Sequence, residues 1–169
     1  MATTYTLISS VTVGSGGAAN IEFTSIPQTY TDLILFTSLR DDAGSFTGGI
    51  TFNNSTTSYS NRYLRGDGAT PTSAGGSVTT YVESLSVGST FTANTFSNSY
   101  IYIPNYTSST NNKSVSVDSV TENNATTAYG EILAGLWSNT SAITEIDITA
   151  GAGSFVQYST AYLYGISNA

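Results

Sequence analysis

Two short stretches carry the residues best suited to chemistry. RDDAG (residues 40–44) places Asp41 and Asp42 beside Arg40, and RGDG (residues 65–68) places Asp67 two positions after Arg65. With Asp118 and Glu122 these are the candidate carboxylates for a glycosidase-type pair, in which one acid protonates a leaving group and a second acts as base or nucleophile across a cleft. The spacing pairs no two of them, and acids at strand ends are also what a solvated polar face requires. Both stretches offer oxygen ligands to calcium. Neither follows the D-x-[DN]-x-[DN]-G loop with its distal Glu, and Asp is favoured in turns for its local hydrogen bonds alone.

The residue types that are missing narrow the chemistry further. There is no His and no Cys. That removes the commonest general base, the usual relay of a nucleophilic triad, the usual zinc ligands, disulfides and thiol chemistry. The expectation is a non-enzyme with no catalytic residue, no cofactor and no metal.

Arg65-Gly66-Asp67 also spells an adhesion tripeptide. Asp67-Gly68 is a turn dipeptide, and Gly66 relaxes the backbone before it, so the stretch needs no adhesion role to explain it. Four basic residues (Arg40, Arg62, Arg65 and Lys113) stand against eleven acids. Arg65 is expected to be a structural ion-pair partner.

A net charge of −7 without a basic cluster argues against nucleic acid, whose binding needs cations to displace counterions, and against an anionic membrane surface. Partners are expected to be neutral or basic protein faces, or glycans. The opening MATTYTLISS lacks a basic segment and a long apolar run, and no stretch is long enough for a transmembrane helix. Synthesis in a cytoplasm without processing is expected, with the Asn-x-Ser/Thr sites at Asn53, Asn54, Asn105, Asn112, Asn124 and Asn139 unmodified.

The elements that must position these residues read as strands. Charged residues make up 9% of the chain and aromatics 12%, a composition that suits a folded β protein rather than a disordered one. Short alternating runs separated by Gly, Asn and Ser recur along the whole length. Tyr5, Leu7, Val11 and Val13 alternate around a Ser pair, residues 14–20 form a turn, and Ile21, Phe23 and Ile26 point inward. TDLILFTSLR (31–40) is apolar on both sides, with Leu33 and Leu35 on one and Ile34 and Phe36 on the other. Such a strand is covered on both sides, as a central core strand or through a subunit contact.

GGITFN (48–53) is a short strand, and residues 54–77 read as a long polar connection with at most a short strand at 62–65. Further strands follow at 78–87 and 98–106. In KSVSVDSVTE, Val120 falls out of phase, which predicts a bulge near Ser119. Residues 129–138 carry Ile132, Leu133, Leu136 and Trp137 at helical spacing, but Gly130 and Gly135 weaken a helix and a strand is predicted. Residues 142–150 and 155–166 complete the set, and both termini are expected to be ordered. About ten short strands at this spacing predict one all-β domain over residues 1–169, an antiparallel β-sandwich.

A resemblance covers nearly the whole chain. YTLISSVTVGSGGAANIEFTSIPQTYTDLILFTSLR, the spaced N-S-Y--R-L-GDG middle, IYIPNY, KSVSVDSVTENNAT, AGLWSNTSAI and FVQYSTAYLYGI resemble small virion proteins of tailed phages that infect marine bacteria and cyanobacteria. The resemblance implies a jelly-roll-like sandwich and a structural component of the virion, made in the host bacterial cytoplasm.

It leaves two roles open. One is a capsid decoration (cement) protein that binds the major capsid protein or other virion proteins as a homo-oligomer, expected to be a trimer, and stabilises the head. The other is a tail-fibre or receptor-binding module in which Tyr and Asn of loops 53–63 and 104–112 contact a host glycan. The first is favoured, because the chain is short, self-contained and nearly uncharged on its polar surface.

Overall fold

The computed structural model describes residues 4–44, 47–75, 78–124 and 128–167. Its regular elements are twelve strands: β1 (Tyr5–Thr12), β2 (Asn20–Phe23), β3 (Asp32–Ser38), β4 (Thr47–Phe52), β5 (Tyr59–Gly66), β6 (Thr72–Gly75), β7 (Val82–Leu85), β8 (Asn98–Ile103), β9 (Lys113–Val120), β10 (Gly130–Trp137), β11 (Ile146–Thr149) and β12 (Thr160–Ile166). All their pairings are antiparallel. They form an eight-stranded sheet, β1-β12-β3-β8-β9-β10-β5-β6, and a four-stranded sheet, β2-β11-β4-β7.

The strand order is nested. The run β1-β12-β3-β8 in one sheet lies over β2-β11-β4-β7 in the other, so that consecutive strands switch sheets. Two hairpins are inserted into this scheme. β5–β6 comes between β4 and β7, β9–β10 between β8 and β11, and both extend the larger sheet on one side.

Alternation drives the packing. Leu33 and Leu35 of β3, Ile101 and Ile103 of β8, Val115 and Val117 of β9, Leu133 of β10 and Leu163 of β12 face inward. There they meet Ile21, Phe23, Ile50, Phe52, Ile146 and Ile148 of the smaller sheet. Each such side chain contributes roughly 1.5–3 kcal/mol on burial. Phe52, Tyr59 and Trp137 form an aromatic cluster with ring centroids 5.7–6.2 Å apart.

Several expectations change. The connection after residue 53 is more than polar chain: the short strand expected at 62–65 is part of a longer β5, and β6 follows it. The inward residues of β5 are Tyr59, Asn61, Tyr63 and Arg65, and two polar members hide the alternation. Asn61 is fully buried, donating to the carbonyls of Val78 and Tyr81 and accepting from the Glu83 N–H. The bulge near Ser119 is absent: β9 pairs without a break on both sides, with Ser119 inward and Val120 outward. The bulge lies instead in β1, between Leu7 and Ser9, where it turns Val11 inward after Tyr5 and Leu7 have faced out.

β10 is a strand, as expected, and β1 and β12 pair at the sheet edge. The extreme terminal residues, 1–3 and 168–169, lie outside the described set. β3 is central, but no second layer covers its outer side among the described residues. Ile34 is enclosed by its cross-strand neighbours Tyr164 and Tyr102, while Phe36 stays 39% exposed.

Candidate interaction surface

The outer face of the eight-stranded sheet is the broadest feature of the molecule. Cross-strand register places Ser10, Tyr162, Phe36, Tyr100, Asp118, Ile132, Leu64 and Ser73 in one row. Leu7, Tyr164, Ile34, Tyr102, Ser116, Ala134, Arg62 and Gly75 form the next. Strands spaced about 4.8 Å apart make each row about 34 Å long. At the β1 end the face is aromatic, with Tyr5, Leu7, Phe36, Tyr100 and Tyr162 exposed. At the other end Val120, Ile132 and Leu64 are exposed.

The aromatic rings do not share a plane. Phe36 meets Tyr100 at 62° with centroids 5.4 Å apart, and meets Tyr164 at 86° and 5.9 Å. Edge-to-face packing of this kind stabilises the row. It also means that no common flat surface is offered to a sugar ring. Tyr102 donates its hydroxyl to Asp32, 2.9 Å away, which ties β8 to the neighbouring β3.

The candidate carboxylates are dispersed. Asp41 is buried, accepting from the Ser86 hydroxyl at 2.8 Å and from the Ala43 N–H at 3.0 Å. Burial outweighs these bonds and holds its carboxyl above the ordinary range. Asp42 accepts from the Ser154 N–H. Asp67 accepts from the N–H groups of Ala69 and Thr70, chiefly Thr70, and is held below the ordinary range by them. Glu122 accepts from the Asn124 N–H, and Asp118 lies exposed on the outer face. Asp67 and Glu122 do line one shallow cleft with Gly66, Val120 and Tyr129. Each nevertheless spends its carboxylate on a local backbone turn.

Arg65 answers the question its motif posed. Its side chain leaves the Gly66-Asp67 turn and enters the sandwich, donating from Nε to Glu131 at 2.7 Å and from Nη2 to Glu83 at 2.9 Å. The Tyr63 and Tyr129 rings flank it at 4.6 and 5.5 Å. An adhesion tripeptide has to present its arginine and its aspartate together. Here the arginine clamps β5 and β10 of the larger sheet to β7 of the smaller one. The ion-pair expectation for Arg65 holds. Its two partners went unseen in the sequence, where the only signal is an acid inside each of two otherwise apolar runs, VESL and GEILAGL.

Loops 53–63 and 104–112 do not present their tyrosines for stacking. Tyr59 and Tyr106 are buried. Tyr59 accepts from the Phe52 N–H and Tyr106 donates to the Pro27 carbonyl. The asparagines there serve the turns: Asn53, Asn54 and Asn105 adopt positive φ, which Asn tolerates better than most residues. Val120, Ile132 and Leu64 do not read as surface residues in the sequence, because their strands' inward positions carry polar residues (Ser119, Glu131, Arg65) that invert the expected pattern. No family model matches this chain, and neither the curated proteins nor the solved structures give a match.

Proposed function

We propose that this chain is a structural protein of a tailed-phage virion, a decoration protein that attaches to the outer capsid surface as a homo-oligomer and stabilises the head. The observation that carries the reading is the outer face of the larger sheet: a broad, aromatic and nearly uncharged surface that the described residues leave uncovered. Large exposed apolar patches on a polar protein mark surfaces meant for burial against another protein, and aromatic side chains dominate the energetics of such contacts.

Two further features support it. The nested order β1-β12-β3-β8 over β2-β11-β4-β7 is compatible with the jelly-roll wrapping that the resemblance implies, an architecture common in viral capsid proteins. The motifs quoted above resemble those of phage virion proteins along nearly the whole chain. Attachment stabilises a capsid by mass action, since a ligand that binds only the assembled shell shifts its equilibrium away from rupture. The mutually inclined rings and the buried loop tyrosines count against the alternative, a glycan-reading tail-fibre module.

The test is to locate the protein on intact particles with a specific antibody and electron microscopy. Many copies over the head, together with heads that rupture at lower temperature when the protein carries Phe36→Asp and Tyr100→Ser, are the expected result. A few copies confined to the tail would overturn the decoration role and favour the fibre.

A further inference from the structure

We infer that the β9–β10–β5 end of the outer face is a self-association surface, on which a second copy of this chain docks about a twofold axis. This deepens the oligomeric part of the reading above and rests on it only there.

Two charges stand alone within this end of the face. Asp118 lies in the middle of an apolar row, with Tyr100 and Ile132 as its cross-strand neighbours. Arg62 lies in the adjacent row, opposite Ala134. Neither has an ion-pair partner among the described residues, where the salt bridges all belong to Arg65. Arg62 donates only to its neighbouring Asn61 carbonyl, with its guanidinium lying over Gly75. A lone carboxylate set among exposed apolar side chains calls for a cation, and the chain carries one on the same face.

Their placement fixes how a partner can satisfy both. Asp118 and Arg62 are two strands and one pleat repeat apart, about 12 Å. Within one molecule that is too far for a bond. Stack two copies face to face, with the twofold axis in the contact plane and running between the two residues, and each Asp118 meets the Arg62 of the other copy. The pair forms twice, as the isologous geometry of a twofold contact demands. The same axis passes close to Ile132 and Leu64, which are 64% and 54% exposed. It therefore gathers both of them and their symmetry mates at the centre, with the two ion pairs as flanks. Beside them Leu64, Pro71, Ile132 and Asp118 line a hollow of 370 Å³ able to receive an aliphatic side chain.

Charge favours a contact at this end. A chain of net charge −7 repels its own copy, and this face concentrates few acids. Asp118 is matched by Arg62, and Asp32 already accepts from Tyr102. The strands involved offer roughly 450 Å² per copy, the size of a weak and reversible contact. The aromatic end stays free for the shell. A threefold contact would be heterologous and need two different surfaces, so this geometry replaces the expected trimer with a dimer.

The test is sedimentation equilibrium of the purified full-length chain at about 1–100 μM, a range bracketing a micromolar Kd. A dimer is expected. Asp118→Arg or Arg62→Asp alone should weaken it about tenfold or more, because each reversal spoils both pairs. The double variant Asp118→Arg/Arg62→Asp should restore it. Both positions are exposed, and unchanged thermal melting of each variant confirms that the fold is kept. A monomer throughout the range, a trimer, or a dimer indifferent to these reversals would overturn the inference. None of these results depends on where the protein sits on a particle, so failure here is separable from failure of the decoration role.

Discussion

Arg65 and Glu131 face each other in adjacent strands, Nε to Oε2 at 2.7 Å, with the Glu131 side chain wholly buried and its Oε1 without a partner among the described residues. Glu83, from the opposite sheet, holds the second side of the same guanidinium. Removing the arginine therefore strands two carboxylates between the sheets. Arg65→Met should cost about 3–5 kcal/mol at neutral pH, read from the shift in a urea unfolding midpoint. The loss should shrink at pH 5, because burial already holds the Glu131 carboxyl above the ordinary range and the stranded acid can take up a proton there. An equal loss at both pH values would show that packing, not charge, is what Arg65 supplies.

Burial holds the carboxyls of Asp41, Asp147 and Glu131 above their ordinary range. For each, the folded state keeps its proton to higher pH than the unfolded chain does. The stability this contributes is complete below the ordinary carboxylate range, about pH 4, and is lost as pH rises through the folded values. Asp67 has the opposite sign, but its contribution disappears only below that range. The melting temperature should accordingly rise as pH falls from 8 to 5. A melting temperature that falls steadily over the same interval would contradict the assignment.

Lys113 is the only lysine in the chain and is fully buried. Its amine donates to the carbonyls of Ser108, Asn111 and Thr140 at 2.8, 2.7 and 3.1 Å, and burial depresses its pKa. It pins the loop after β8 to the loop after β10. Lys113→Met should cost about 2 kcal/mol or more by leaving those acceptors without a donor. In the native protein an amine-acylating reagent should leave Lys113 unmodified, and mass spectrometry should find it labelled only after unfolding.

Gly135 is where β7 closes on β10, since a Cβ there would lie 2.8 Å from Val82 Cγ1, itself buried. Gly165 is covered in the same way by the Tyr30 ring. Gly135→Ala and Gly165→Ala should each destabilise by about 1–3 kcal/mol through overpacking. Gly130→Ala, with open space around it, is the matched control and should be near neutral by the same denaturant assay.

Much of the architecture follows from local alternation. Leu33, Leu35, Ile101, Ile103, Ile146 and Ile148 point inward because a pleated strand sends every second side chain to one face, and that period is visible without knowing what the strand packs against. Composition likewise placed the chain among all-β folds and gave Arg65 a structural ion pair. What the sequence hid are the inward polar residues. Asn61, Arg65, Lys113, Ser119 and Glu131 break the apolar pattern of β5, β9 and β10. Burying each is tolerable only because hydrogen-bond partners are supplied by the fold around it. Ser119 and Glu131 find theirs on neighbouring strands of the same sheet, Lys113 in the loops beside it, and Asn61 and Arg65 reach β7 of the smaller sheet. The uncovered outer face has the same origin: Phe36 reads as core in any local window, and only the assembled sandwich, which lays its smaller sheet on the other side, leaves it to the solvent.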